Sequence, residues 1–438
     1  MTPTEVRLGL DPARLDELLH QPLDDTVKGV PLGTTTTLAS VGEHRWNVSA
    51  GDLSLPVTTL DVEAVESNLK AMADYCTRHG VSFAPHGKTT MSPQLFDRQL
   101  RAGAWGLTCA TPTQAAVMRR FGASRIVMAN ELTEARAWRW VAGELDRDPG
   151  FEFYSLVDSV ETVVSVDRIL SAVSPLRSMD VLLEVGVEKG RGGVRTLKEA
   201  RAVARAVRSS KHLRLVGVEA YEGLVASGAD PEYLAALDRF FDRFREVVLD
   251  LESDGLLQRE EILVTAGGSA YFDRVVATLS RWDTLDRPVR LVLRSGCYLS
   301  HDAGKYERLS PLAGRSPDGE DLRLRNALTA WAAVLSCPEP GLAILGTGKR
   351  DVAHDLSLPS PRTAYRTDGS RVDLRGRAET FQLMDQHAFV RLDPDVHLAA
   401  GDVVALDSSH PCTAFDKTSF VPLIDAHSTV VGAVRTFF

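Results

Sequence analysis

From about Leu55 the chain alternates short apolar runs with longer amphipathic ones, and the rhythm persists as far as Leu293. The short runs are Val57–Leu60, Ser82–Pro85, Trp105–Thr108, Arg125–Ala129, Phe151–Val157, Val181–Val185, Leu213–Ala220, Ile262–Thr265 and Val289–Leu293. Between them Val62–Arg78, Pro112–Phe121, Leu132–Leu145, Val160–Ala172, Leu197–Arg208, Pro231–Glu252 and Tyr271–Ser280 carry helical patterns. Strands separated by helices at this spacing imply βαβ units and a parallel sheet. The number of units matches a (β/α)8 barrel, whose active site lies where the strands end.

After Ser300 the pattern changes. Leu328–Leu335, Leu342–Leu345, Phe381–Leu383, Phe389–Arg391, Val403–Leu406 and Val430–Phe438 read as strands without regular helices between them, and turn-rich stretches such as residues 314–319 separate them. The expected architecture is α/β: a helical extension over 1–30, a segment 31–50 joining the β domain, a barrel over 51–305, and an all-β domain over 306–438.

A chain of 438 residues exceeds one ordinary core, and 44% hydrophobic with 25% charged residues is a soluble globular balance. A net charge of −9 disfavours broad nucleic-acid or acidic-membrane binding. Five widely spaced cysteines argue against a disulfide framework, and the start lacks the pattern of a signal peptide. A cytoplasmic protein with no membrane or nucleic-acid partner is the expectation.

Lys88 follows the Ser82–Pro85 run in Ala-Pro-His-Gly-Lys-Thr-Thr, at the functional end of the barrel. A lysine amine there can form an imine with an aldehyde cofactor; a lone lysine is otherwise a surface residue. Two glycine-bearing segments follow late strands: Thr265-Ala266-Gly267-Gly268-Ser269 and Arg294-Ser295-Gly296-Cys297-Tyr298. Backbone N–H groups at such turns favour a phosphate, and glycine permits its close approach, although tight turns need glycine anyway.

In the β domain His410-Pro411-Cys412 places two ligand types two apart. In an extended segment they point to one side, and Pro411 favours extension of His410. Imidazole with thiolate favours zinc, with water or substrate completing the sphere. Taken alone, such a pair is usually a coincidence of a core cysteine and a surface histidine.

Together these motifs resemble the D-serine dehydratase and D-threonine aldolase branch of the alanine racemase-like pyridoxal-phosphate enzymes, from Leu55 to the C-terminus. The resemblance implies that Lys88 holds pyridoxal 5'-phosphate, with His86 beside it. Thr265, Gly267, Gly268, Ser269, Gly296, Cys297 and Tyr298 match the positions that hold its phosphate. Arg191, in Glu184–Gly193, matches an arginine that contacts the phenolic oxygen, and Tyr221 a tyrosine beside the pyridine ring; the alternatives are a surface arginine and a rim packing residue. His410 and Cys412 match a zinc pair, another divalent metal being the alternative, in a His-Pro-Cys-Thr-x-Phe-Asp-Lys context similar to that of D-serine dehydratases. The aldolases carry a carboxylate at the position of Cys412. His387 matches a histidine preceded by acidic residues, with Gln386 departing from that pattern. Gly348-Lys349-Arg350-Asp351 resembles a motif of the amino acid deaminase subgroup to which no chemistry is assigned.

The implied activity is β-elimination from a D-3-hydroxy amino acid such as D-serine, giving a 2-oxo acid and ammonia in a homodimer. Retro-aldol cleavage, racemisation and non-catalytic cofactor carriage are the alternatives.

Overall fold

The computed structural model describes residues 9–310 and 323–438; the turn-rich stretch 314–319 lies outside them. Eight parallel strands form the barrel: β1 (Ser82–Phe83), β2 (Leu107–Cys109), β3 (Arg125–Glu131), β4 (Glu152–Val157), β5 (Met179–Val185), β6 (Leu213–Ala220), β7 (Ile262–Ala266) and β8 (Val289–Leu293). Each pairs with its neighbour from β2 through β8, and β8 pairs with β1. The ring closes where the N–H of Trp105 donates to Phe83 and that of Thr108 to Pro85, at 2.7 and 2.9 Å.

The lumen is filled by inward side chains, among them Val127, Tyr154, Leu182, Val216, Leu263 and Val292. Strand β6 approaches β7 so closely at Gly217 that a Cβ would stand 1.8 Å from the Leu263 carbonyl oxygen; only glycine fits there. Outside, helices pack one apolar stripe inward. In Val62–His79 the buried positions Val65, Leu69, Met72 and Cys76 recur at three- and four-residue spacing. That helix starts where the Asp61 side chain accepts from the Ala64 N–H and ends at Gly80, with φ 63°.

The second domain is a seven-strand antiparallel path running through Val403–Asp407 and Leu328–Glu339. Ala330, Val334, Leu345, Val390 and Leu406 belong to its own core. Val57–Asp61, read from sequence as the first barrel strand, belongs here. It pairs antiparallel with Leu328–Trp331 and parallel with Leu423 and Ile424. A strand buried on both faces has the same pattern in either sheet, so periodicity could not assign it. Ser360–Tyr365, Arg371–Asp373 and Phe420–Ile424 are further strands absent from the sequence reading.

Upstream, residues 41–50 lie against the last strand: Val48 N–H donates to Ser428, and Asn47 bridges Thr429. The helix Pro12–Leu19 is followed by the strand Pro22–Asp24, which pairs with Thr35–Thr37. Lys28 then reaches the buried Asp351 at 2.6 Å, so the Gly348–Asp351 motif is a turn pinned by the N-terminal segment. Among the described residues no helix is long and apolar enough to cross a membrane.

Candidate functional site

The C-terminal ends of the barrel strands and the one-turn helix Pro411–Phe415 enclose a cavity of about 210 Å³. Ten residues singled out in the sequence line it: His86, Lys88, Arg191, Tyr221, Gly268, Ser269, Gly296, Cys297, His410 and Cys412. Thr265, Gly267 and Tyr298 do not. The Thr265 hydroxyl donates to the Val292 carbonyl and accepts from Arg294, at 2.8 and 2.9 Å. The Tyr298 ring turns outward against Phe83, its hydroxyl accepting from Gln99 at 3.1 Å. Its position after the strand was legible, but not the direction of its side chain.

Lys88 sits in the tight turn Gly87–Thr89. The neighbouring His86 is half-buried, and desolvation with the charges of Lys88 and Arg294 holds its imidazole well below the usual range. It is therefore neutral, and its Nδ1 has no partner among the described residues. Gly296 lies so close beneath this turn that a Cβ would stand 2.6 Å from both the His86 carbonyl oxygen and the Thr89 hydroxyl.

The two glycine segments are stitched together: the Ser295 hydroxyl donates to the Gly267 and Gly268 carbonyls at 3.2 and 3.1 Å. The N–H groups of Gly267 and Gly268 donate to the buried carboxylate of Glu222, at 3.2 and 2.6 Å. The free amide pair expected there for a phosphate is thus already engaged by a side chain from the loop after β6. Ser269 and Gly296 remain on the cavity wall, and the Ser269 hydroxyl accepts from the Cys297 N–H at 3.1 Å.

Beside Gly268, on the cavity wall, stands the Tyr221 ring, and the Arg191 guanidinium lies 4.8 Å from its centre. Arg195 braces its loop, donating to the Gly192 carbonyl at 2.7 Å and to those of Arg191 and Gly193. Glu184, Glu131 and Asp158 bring carboxylate oxygens within 4.8 Å of one another beside this loop. Burial, then a hydrogen bond with Glu131, pushes the Glu184 carboxyl up to about 9. Glu184, Glu131 and Glu219 line the cavity and were missed in the sequence, although all three stand in the last three residues of barrel strands.

His410 and Cys412 meet by a different route from the one expected. His410 has φ 62°, left-handed backbone, and Pro411 opens a helical turn instead of following an extended segment. The buried Asp302 accepts the His410 N–H at 3.0 Å and holds the backbone there. The imidazole Nδ1 is hydrogen-bonded to Asp355, and the ring also bonds Cys412. The bond with Cys412, followed by that with Asp355, raises His410 to about 9.

Around the Cys412 sulfur stand Cys297 Sγ at 3.6 Å and the Thr89 hydroxyl at 3.4 Å. Hydrogen bonding with Cys297, followed by that with His410 and Thr89, holds Cys412 well below the usual thiol range. Tyr306, another cavity residue the sequence did not mark, hydrogen-bonds Cys297. His387 lies at an exposed hairpin turn and does not line the cavity.

Known proteins resemble this chain along most of its length. A D-threonine aldolase of Arthrobacter sp is 26% identical over 366 residues, covering 82% of this chain and 86% of the aldolase. The crystal structure of a D-threonine aldolase from Filomicrobium marinum matches with a TM-score of 0.73 and 24% identity, covering 88% of this chain and 95% of that one. The D-threo-3-hydroxyaspartate dehydratase from Delftia sp. HT23 matches with a TM-score of 0.68 and 19% identity, over 89% of this chain and 99% of that one. A D-threo-3-hydroxyaspartate dehydratase has also been solved as a histidine-to-alanine mutant and, two positions further on, as a cysteine-to-alanine mutant in the metal-free form. Residues 327–424 match the model described as "Putative serine dehydratase domain". Residues 60–282, just over half of the chain, match the model "Alanine racemase, N-terminal domain", and the chain belongs to that family.

Proposed function

We propose that the chain is a lyase that uses pyridoxal phosphate and a zinc-class metal ion to remove water from a D-3-hydroxy amino acid, giving a 2-oxo acid and ammonia. The observation that carries this reading is that Lys88 and the His410–Cys412 pair face one cavity. The residues fit both groups. For the cofactor there are the Lys88 amine, the unpartnered Nδ1 of His86 and the space left by Gly296. For the metal there are an imidazole and a cysteine sulfur, the donor set that suits zinc.

Lys88 would hold the cofactor aldehyde through Nζ, and His410 with Cys412 would hold the metal. The cofactor supplies an electron sink that acidifies the substrate's Cα–H, and the metal a Lewis acid for its β-hydroxyl. Lys88 Nζ, once free, takes the Cα proton. The β-hydroxyl would leave Cβ as water by carrying off the proton taken from Cα, and the enamine left would react with a second water to give the 2-oxo acid and ammonia. Neutral His86 adds no second positive charge beside Lys88. The D-threo-3-hydroxyaspartate dehydratase solved as mutants of a histidine and a cysteine at the same spacing, one in a metal-free form, supports elimination.

A second reading is retro-aldol cleavage to glycine and an aldehyde. It is favoured by the D-threonine aldolase likeness over 82% of the chain; there a base would take the β-hydroxyl proton instead. Cys412, where a carboxylate would mark an aldolase, favours elimination. We take a homodimer as the working form. Borohydride reduction of the cofactor-loaded protein followed by peptide mapping tests the anchor. The label is expected on Lys88, and a label on another lysine, or none, contradicts the reading.

A further inference from the structure

The His410 side chain is held from the side away from Cys412. Its Nδ1 meets one carboxylate oxygen of Asp355, and the other oxygen accepts from the Thr413 hydroxyl at 2.7 Å. Thr413 is in turn fixed by the helical turn that begins at Pro411, since its backbone N–H donates to the His410 carbonyl at 3.2 Å. Asp355 comes from a separate segment, four residues beyond the Asp351 that Lys28 pins at 2.6 Å. Two segments distant in sequence, the one that carries Asp355 and the turn His410–Thr413, thus meet at one imidazole. A hydrogen bond at Nδ1 fixes the tautomer and leaves Nε2 as the lone-pair donor, and it raises the ring's basicity as a ligand.

We propose that Asp355 is the positioning residue of the metal centre: bonded to His410 Nδ1 and clamped by Thr413, it aims Nε2 at the ion shared with Cys412. This rests on the metal reading of His410 and Cys412. Asp355 does not line the cavity, so its contribution is to ligand orientation and affinity and not to contact with substrate. The residue had no sequence signal beyond its nearness to the Gly348–Asp351 motif, because its partner lies 55 positions away.

The test titrates zinc into the cofactor-loaded, chelator-stripped protein against a chromophoric competitor, for wild type, D355A, D355N, T413V and H410A. Cobalt spectra are recorded in parallel. D355A is expected to weaken zinc about 10–100-fold. D355N should recover most of the loss, because its amide oxygen still accepts from Nδ1–H, and T413V should show a smaller loss than D355A. The thiolate-to-cobalt band should survive in D355A at saturation, since Cys412 still binds. Wild-type affinity in D355A overturns the proposal. Equal loss in D355N and D355A with an altered cobalt spectrum also overturns it, by making Asp355 a direct ligand. If H410A binds zinc like wild type, the metal reading itself falls, and this proposal with it.

Discussion

The sulfur atoms of Cys297 and Cys412 stand 3.6 Å apart, one on the loop after the last barrel strand and the other on the helical turn of the β domain. The contact joins the barrel wall of the cavity to the β domain. Cys297 and Cys412 are hydrogen-bonded to each other, and Tyr306 bonds Cys297 in turn.

Replacing Cys412 with alanine is expected to weaken zinc beyond the roughly 100-fold loss typical of a supporting partner. C412D should keep a site but shift its preference towards manganese or magnesium, because a carboxylate is a harder ligand than a thiolate. Reconstitution of the stripped proteins with each metal checks both. C412A that still binds zinc like wild type contradicts the assignment of Cys412 as a ligand.

Glu184 gives a pH prediction. Its carboxyl is raised to about 9 by burial first and the Glu131 hydrogen bond second. The folded chain therefore keeps a proton that the unfolded chain releases near 4.5. Between those values the folded state binds more protons, so stability falls as pH rises. E184Q removes this loss. Its Tm minus that of wild type should increase steadily from about pH 5 to about pH 9; a constant difference would show that Glu184 titrates normally.

The place of Val57–Asp61 in the β domain is testable through Trp331, whose indole N–H donates to the Thr59 hydroxyl at 2.8 Å in a fully buried setting. T59V keeps the shape and strands the donor, at a cost of about 1–3 kcal/mol. Thermal unfolding should start at lower temperature in T59V, with the change seen by near-ultraviolet signals of the buried tryptophan. An unchanged Tm contradicts the contact.

Much of this was legible in the sequence, and the failures share a cause. The barrel rhythm and the Lys88 turn follow from local periodicity and turn chemistry, which a single segment carries. Tyr298 and Thr265 were placed at the right strand ends but face away from the cavity, since the direction of a side chain depends on what packs behind it. Gly267 and Gly268 looked free for a phosphate because nothing local reveals that Glu222, 45 positions earlier, fills their amides. His410 was read as extended from the proline that follows it. Asp302 instead holds it left-handed from 108 residues away. Glu184 and Glu219 could have been marked, because the barrel rule singles out residues at strand ends.

The central claim is most directly tested by product analysis with a panel of D-3-hydroxy amino acids, including D-serine, D-threonine and D-3-hydroxyaspartate, with and without a chelator. The account predicts a 2-oxo acid and ammonia in equal amounts, lost on chelation and restored by zinc. Glycine with an aldehyde as the products, or elimination that persists without metal, would contradict it.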